Sequence, residues 1–536
     1  MEVFAIPRRI MVSNSSHCTL LKRAKLLGWT LGVGLLLISA NCRSEDYNKI
    51  FKKLSDLENE VQALKAELAA EKGKTTHAPL AEASPELTGS ATSPEIYEAL
   101  FRPQSTQAVT ATAPGTPAPS DAAQKRKQEL GQFGITYRSD GFAVDGLRFG
   151  AYGESLFGRK ESGAGWNNGF DANRVVLLGT YQVSDDIFFN TEIEFEHGGI
   201  ANDADDKLGG AIEVEQLFID FRATDHFTWR SPGVDVVPVG YVGLFHEPTQ
   251  FYSTNRPEIY NGLIPATWFA PSTGAYGKVI DGLNYQFQLS SGLEDSGTVA
   301  DDEDGSVPIG GYAAGISGSD ALSLARSPIG DRLQLGNNLA YTLRLSYTPE
   351  FLPGLSGSSS VYYTNNTTPR GAYGTNPNGS TRALGKSDLI MFDSEVRYRI
   401  PATGIELRAE YVHTGFGDTD NLRANNDGDA TNNVGNSMYG YSFEAAYHVD
   451  LRPNSKEKWE FVPFYRFSEI NLQTAGAHGS DVEGRTGSGL QQYHTFGTAI
   501  FPTPKVVLKA DYQFVLDNDD QSPDQKAFLG AVGFFF

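Results

Sequence analysis

Charged side chains recur in this chain at alternate positions of short segments, and that spacing limits what they can do. Arg148, Arg174, Arg222, Arg344, Arg397, Arg399, Arg408, Arg466 and Lys509 stand out of phase with the apolar residues beside them. So do Glu154, Glu192, Glu194, Glu196, Asp220, Asp393, Glu395, Glu406, Glu410, Glu444, Glu460 and Asp511. Gathered on one wet face, such a set makes an electrostatic wall of mixed sign that attracts or repels ions rather than breaking bonds. Glu192, Glu194 and Glu196 share one face and are less easily paired, although Arg174 should lie near Glu194 or Glu196 across the 184–186 turn, and they are the best candidates for attracting cations. There is no G-x-S-x-G, no H-E-x-x-H and no phosphate-cradling glycine loop, and the 9 histidines are scattered. The expectation is therefore no enzyme, no cofactor and no metal site.

The elements that carry these charges read as strands. Leu343, Leu345 and Tyr347 alternate with Thr342, Arg344 and Ser346; Val506, Leu508, Ala510, Tyr512 and Phe514 alternate with Val507, Lys509, Asp511 and Gln513. A period of two with one apolar and one charged face is a strand with water on one side only. Strands are expected near 146–157, 173–183, 187–196, 212–222, 236–245, 273–280, 283–292, 338–347, 355–364, 388–400, 405–412, 438–449, 459–468, 490–501, 505–514 and 526–536. Links after even-numbered strands are mostly tight, such as 184–186, 281–282, 401–404 and 502–504, whereas 293–337, 365–387, 413–437 and 469–489 are long and polar. This pattern predicts an all-β fold, a 16-stranded antiparallel transmembrane β-barrel over 141–536, with apolar residues toward lipid and polar ones toward a water-filled lumen. A mean hydropathy of -0.32 with 57 Gly, 24 Tyr and 32 Phe suits tight turns and aromatic girdles rather than membrane helices. Around 401–404, pairing Ile400 with Ile405 sets Arg399 opposite Glu406 and puts Glu395 and Arg408, and Arg397 and Glu410, on diagonals, so part of the wall charge is expected to neutralise itself.

The first 140 residues differ in kind. Lys22, Arg23 and Lys25 precede an apolar run from Leu26 to Ser39 that is too short for a spanning helix, so 1–41 reads as a secretory signal, with a retained anchor as the alternative. Removing its five Lys/Arg and one Glu takes the formal charge from -21 to -25. Met11 is a second possible start, and Ser39-Ala40-Asn41-Cys42 loosely matches a lipoprotein cleavage box; the other cysteine, Cys18, lies in the signal, so the barrel has no thiol to cross-link it. Over 43–72, Tyr47, Ile50, Leu54, Leu57, Val61, Leu64 and Leu68 keep a 3-4 spacing, and Lys53 with Glu58 and Glu60 with Lys65 are opposite g-to-e pairs. That predicts a short parallel coiled coil in the periplasm, or else a lone amphipathic helix. Residues 73–140 read as an Ala/Pro/Ser/Thr-rich linker.

Signal, coiled coil, linker and barrel together resemble bacterial trimeric outer-membrane porins, most closely the phosphate-selective porin O/P family. The residues that carry the resemblance are Val242 to Pro248 closing the fifth strand, Asn255-Arg256-Pro257-Glu258 running on to Trp268, Val462 to Arg466, and Val506 to Tyr512. It implies a homotrimer in the outer membrane whose third loop folds into each pore. Here that loop is 246–272, stiffened by Pro248, Pro257, Pro265 and Pro271, with His246, Glu247, Arg256, Glu258, Tyr260 and Trp268 as constriction residues and Arg256 and Glu258 facing wall charges. It also implies passive diffusion of small hydrophilic solutes or ions, with anions or phosphate in view. The family's arginine ladders and lysine cluster are not matched residue by residue, and the acidic excess favours weak cation preference. The remaining expected partners are lipid, lipopolysaccharide and the barrel assembly machinery, which would read Phe534 and Phe536 with Val532 and Phe528; no nucleic acid is expected. The acidic runs 301–304 and 517–520 lack calcium-loop spacing and read as solvated loops. A sugar-selective channel would need a track of inward aromatics, of which Tyr152, Phe188, Phe218, Tyr362 and Phe464 are the scattered candidates. A barrel-anchored surface structural protein or adhesin would need large insertions.

Overall fold

The computed structural model describes the chain from Phe142 to Phe536, apart from 199–209, most of 294–337, 369–371, 376–380, 423–434, 476–489, 518–524 and some shorter stretches. The signal, coiled coil and linker expected over 1–41, 43–72 and 73–140 lie outside the described residues. Within them the chain is a closed antiparallel barrel of 16 strands: β1 Leu147–Ser162, β2 Gly165–Gln182, β3 Ile187–Glu196, β4 Ile212–Thr224, β5 Phe227–Val236, β6 Phe269–Ile280, β7 Leu283–Ser291, β8 Leu339–Tyr347, β9 Leu355–Thr364, β10 Leu389–Arg399, β11 Ile405–Phe416, β12 Ser437–Tyr447, β13 Glu460–Ala475, β14 Leu490–Thr503, β15 Val506–Asp517 and β16 Gln525–Phe535. Each strand pairs with the next. β16 returns to β1 with Phe535 opposite Tyr152 and Ala527 opposite Lys160, so no edge is left to template aggregation. Two backbone hydrogen bonds extend this seam, from Ala151 N to Phe536 O at 2.6 Å and from Phe536 N to Ala151 O at 2.8 Å. Segments 298–301, 305–308, 372–375 and 381–383, from two of the long links, form a separate four-stranded sheet.

The two faces of the sheet differ as the alternation requires. In β8, Thr342 and Arg344 are 0 % and 4 % exposed while Tyr341 and Leu343 are 46 % and 45 % exposed, although all four belong to one strand. The same division puts Phe149, Leu177, Phe287, Ile390, Phe443, Phe496 and Leu508 on the outside and Glu154, Arg174, Asp220, Glu395, Arg466 and Lys509 on the inside. An apolar exterior around a charged interior inverts the arrangement of a soluble protein and suits a lipid surround.

Several expected boundaries move. The fifth strand is not 236–245 but Phe227–Val236, reached from β4 by the two-residue link Asp225-His226. Pro232 hid it. The proline sits where the ladder slips against β4, between Leu217 and Asp220, and against β6, between Arg230 and Gly233, so its missing donor costs no ladder bond. The Ser231 hydroxyl accepts from Ile219 N at 2.9 Å and fills part of the gap. The residues read as closing the fifth strand form a short helix, α1 Tyr241–Leu244, and the segment between β5 and β6 is therefore 237–268 rather than 246–272. Pro271 lies in β6 opposite Val234. β1 and β2 run on to meet at Ser162 and Gly165, where a long link had been expected over 158–172.

Removing Phe536 deletes both added seam bonds, each worth about 0.5–1.5 kcal/mol net. The truncated barrel should lose about 1–3 kcal/mol in denaturant titration, and heat-modifiable migration on gels should shift to a lower temperature. An unchanged midpoint would show that the seam does not use this residue.

Candidate functional site: the segment inside the barrel

A 16-strand barrel encloses more space than wall side chains fill, and here residues 237–268 enter it. Val237, Val239, Val242, Phe251, Ile259, Tyr260, Leu263, Ile264 and Trp268 are buried, against inward residues that include Tyr362, Met391, Val412 and Ile470. The segment contains two single-turn helices, α1 and α2 Ile259–Gly262, and so leaves many backbone groups without regular partners. The wall supplies them. Gly240 N donates to Asp393 Oδ1 at 3.2 Å and Gly240 O accepts from Arg344 at 3.1 Å. His246 O accepts from Arg174 at 2.6 Å, Gln250 O from Arg408 at 3.3 Å and Ser253 O from Lys509 at 3.0 Å. Thr254 N donates to Asp511. The charged wall thus holds the backbone of the segment as well as its side chains.

Glycines mark the closest approaches. Gly240 takes φ of 70°, and a Cβ there would lie 2.6 Å from the Tyr260 hydroxyl. In β12, a Cβ on Gly440 would come within 2.4 Å of Leu263 Cδ1.

The expected constriction residues separate into distinct roles. Glu258 pairs with Arg466 at 3.0 Å and takes hydrogen bonds from Ser468 at 2.7 Å and Gln513 at 2.7 Å, which ties the segment to β13 and β15. Burial pushes its carboxyl up, but the Arg466 guanidinium and the Arg466 and Ser468 hydrogen bonds outweigh that and hold it below the usual carboxylate value. Arg256 donates to Thr267 Oγ1 of its own segment at 2.6 Å, and its guanidinium stays within electrostatic reach of Arg174, Glu194, Glu154 and Glu215 on the wall. The Tyr260 hydroxyl accepts from Val242 N at 3.1 Å and donates to Glu410. Trp268 packs edge-on against Tyr362, with ring centroids 4.6 Å apart. His246 lies among Tyr152, Glu192 and Glu215, and burial lowers its imidazole below the usual value against the pull of Glu192. Glu247 is buried beside it.

The wall residues are also accounted for in pairs. Arg174 contacts Glu154 at 2.9 Å and Glu194 at 3.6 Å; Arg399 contacts Glu406 and Glu460, each at 3.5 Å. The other diagonals form differently from the expectation. Glu395 takes Arg344 at 3.2 Å and Arg397 at 3.6 Å, and Arg408 takes Glu406 at 2.5 Å and Glu444 at 3.3 Å. Arg397 also lies over the Tyr241 ring, 3.1 Å from its centroid. Arg148, Glu196 and Arg222 are half-buried near the strand ends, Arg222 against Asp225. Beside the segment, Val242, Phe251, Glu395, Arg397, Arg408 and Glu410 line a cavity of about 30 Å³, room for one or two waters.

Parity did not find Glu215, Arg230 or Asp235. Glu215 is the extra residue of a bulge in β4, between the pairs Glu192–Gln216 and Ile193–Val214, so inward positions are odd before it and even after it. Arg230 and Asp235, a buried trio with Asp220, sit in the strand that Pro232 concealed.

No family model matches the chain. An uncharacterized protein of Aquifex aeolicus (strain VF5) is 23% identical over 372 residues, 68% of this chain and 74% of that one. Among solved structures, the anion-selective porin from Comamonas acidovorans superposes at a TM-score of 0.42 with 12% identity, over 73% of this chain and 99% of the other. The corresponding values are 0.44, 9%, 73% and 94% for Pseudomonas putida OprB, and 0.43, 10%, 74% and 99% for the channel DcaP of Acinetobacter baumannii.

Because Glu258 is held below its ordinary value, near 4.3 in an unfolded chain, its contribution to docking is present above that pH and is lost as pH falls through the lowered value. In Glu258→Gln, docking at neutral pH should weaken by about 1–3 kcal/mol, and acidification should cost it less than it costs the parent. Hydrogen exchange of residues 248–264 across pH reports both effects. Parallel profiles for the two proteins would remove Glu258 from the docking interaction.

Proposed function

We propose that the chain is a passive channel of the bacterial outer membrane that admits small hydrophilic solutes or ions. The observation that carries this reading is the closed 16-strand barrel, apolar outside and charged inside, with a chain segment held across its lumen. Such a barrel has no use for a charged interior unless water reaches it. Segment 237–268 would set the narrowest cross-section and its field, because a charge matters most where the lumen is tightest and least screened. Homotrimeric assembly, periplasmic short links and a role for Phe534 and Phe536 in assembly belong to the same proposal.

The interior charges argue against an arginine ladder for phosphate. Arg174, Arg230, Arg344, Arg397, Arg399, Arg408 and Arg466 each contact a wall or segment carboxylate, so the interior offers paired charge rather than a cationic track. A weakly selective pore, slightly favouring cations, fits this balance best. The inward aromatics do not make a sugar slide either. Tyr152 packs on His246, Phe464 on Tyr252, Tyr362 on Trp268, and Phe218 lies under Arg230.

Reconstituted in planar bilayers, the parent should show discrete ohmic steps of low conductance, with a reversal potential near zero or slightly cation-selective in a salt gradient. Replacing 249–264 by a short Gly-Ser link should raise the step severalfold. Absence of steps from both folded proteins would rule out a channel. Equal steps would mean that the segment does not constrict one.

A further inference from the structure

We propose that Glu192, Glu215 and His246 form a binding site for one divalent transition-metal ion of the zinc class, which fastens the lumen segment to the barrel wall. The three residues come from β3, β4 and the exit of α1, and one donor atom from each lies within 4.8 Å of the others. His246 Nε2 stands 3.4 Å from Glu215 Oε2 and 3.8 Å from Glu192 Oε1. Ligands bonded to zinc at about 2.0–2.1 Å in a tetrahedron lie roughly 3.3 Å from one another, so the donors need little movement.

Three further observations point to a cation. First, Glu215 is wholly buried and neither of its oxygens accepts a hydrogen bond from a nitrogen or hydroxyl donor; its close neighbour is a second carboxyl, that of Glu194. The β4 bulge turns this carboxylate inward, against the phase of the residues that follow, and bulges commonly re-aim a side chain at a site. Second, His246 Nδ1 lies 3.1 Å from Gly243 O. Donation from Nδ1–H to that carbonyl, the usual second contact of a metal-bound imidazole, leaves the Nε2 lone pair turned toward the two carboxylates and the Tyr152 hydroxyl, which lies 2.8 Å away. Third, the charges leave room for two positive units. Glu154, Glu192, Glu194, Glu215 and Glu247 gather around the cluster against two guanidiniums, those of Arg174 and Arg256, both near enough to act on Glu215. A dication balances two carboxylates with the imidazole neutral.

Tyr152 Oη lies 2.7 Å from Glu192 Oε1 and 2.8 Å from His246 Nε2, and its single proton can serve only one of them; with Nε2 bonded to the metal, it is donated to Glu192 and orients that carboxylate. An imidazole ligand favours zinc and its neighbours over the hard cations magnesium and calcium. This inference stands on the donor geometry and does not rest on the channel reading. Without a metal, the cluster would need an imidazolium or a protonated carboxylate.

The full chain, purified in detergent, stripped with EDTA and titrated with ZnCl2, should retain one Zn²⁺ per chain after gel filtration, and Zn²⁺ but not Mg²⁺ should raise its melting temperature. His246→Gln and Glu215→Gln should each weaken Zn²⁺ about a hundredfold or more and lose the thermal response. No retained Zn²⁺ in the parent, or equal binding by the folded variants, would overturn the site. Should either variant fail to fold, the Co²⁺-loaded parent decides alone: strong d–d bands of a four- or five-coordinate nitrogen–oxygen site are expected, and a weak spectrum like that of the aqua ion refutes it.

Discussion

A lumen too wide for its own wall to fill imposes the constraint on which the rest depends. Water or protein has to occupy that space, and every charged inward residue has to find one or the other. In this chain, residues 237–268 occupy much of it. Their docking turns a charged wall into a partly solid interior, and the wall charges become partners for a backbone that has almost no regular structure of its own. Buried ion pairs stabilise little relative to apolar replacements, yet removing one partner of such a pair is costly. The gain is therefore in specificity: the pairing admits one seating of the segment and penalises others.

The same wall residues work in two directions. Arg466 joins Glu444 on the neighbouring strand and Glu258 on the segment; Arg174 joins Glu154 on its own sheet and His246 on the segment. Inward aromatics do likewise, since Tyr152, Tyr362 and Phe464 complete the wall and also form seats for His246, Trp268 and Tyr252. Barrel closure and segment docking are thereby coupled, because the pairing that aligns β1 with β16 also sets Gly533 under Pro248, where a Cβ would lie 2.6 Å from the proline.

Much of the barrel was legible from residues alone. The inward assignment of Arg344, Arg397, Arg466, Lys509 and Glu192 needed only the period of two, since each lies on an uninterrupted stretch of strand. The reading failed where the period itself breaks. Pro232 obscured β5, the Glu215 bulge reversed the phase of β4, and Arg230 and Asp235 were lost with the hidden strand. A slip of one residue carries every later side chain to the opposite face, and nothing local in the sequence marks Glu215 as the place where β4 absorbs it.

The sequence by itself determined which face of most strands is apolar and turned outward, because side-chain direction alternates strictly along an extended backbone and apolar residues follow that alternation. It also determined that the connection after the fifth strand, rich in proline and aromatics, would be stiff and unsuited to pairing as a strand. Tertiary structure alone decided where that connection goes and whom it meets. Glu258 lies 208 residues from Arg466, and His246 lies 54 from Glu192 and 31 from Glu215. Such distances close only when the barrel does, since the register of sixteen strands, bulges included, sets which inward side chains share a level of the lumen.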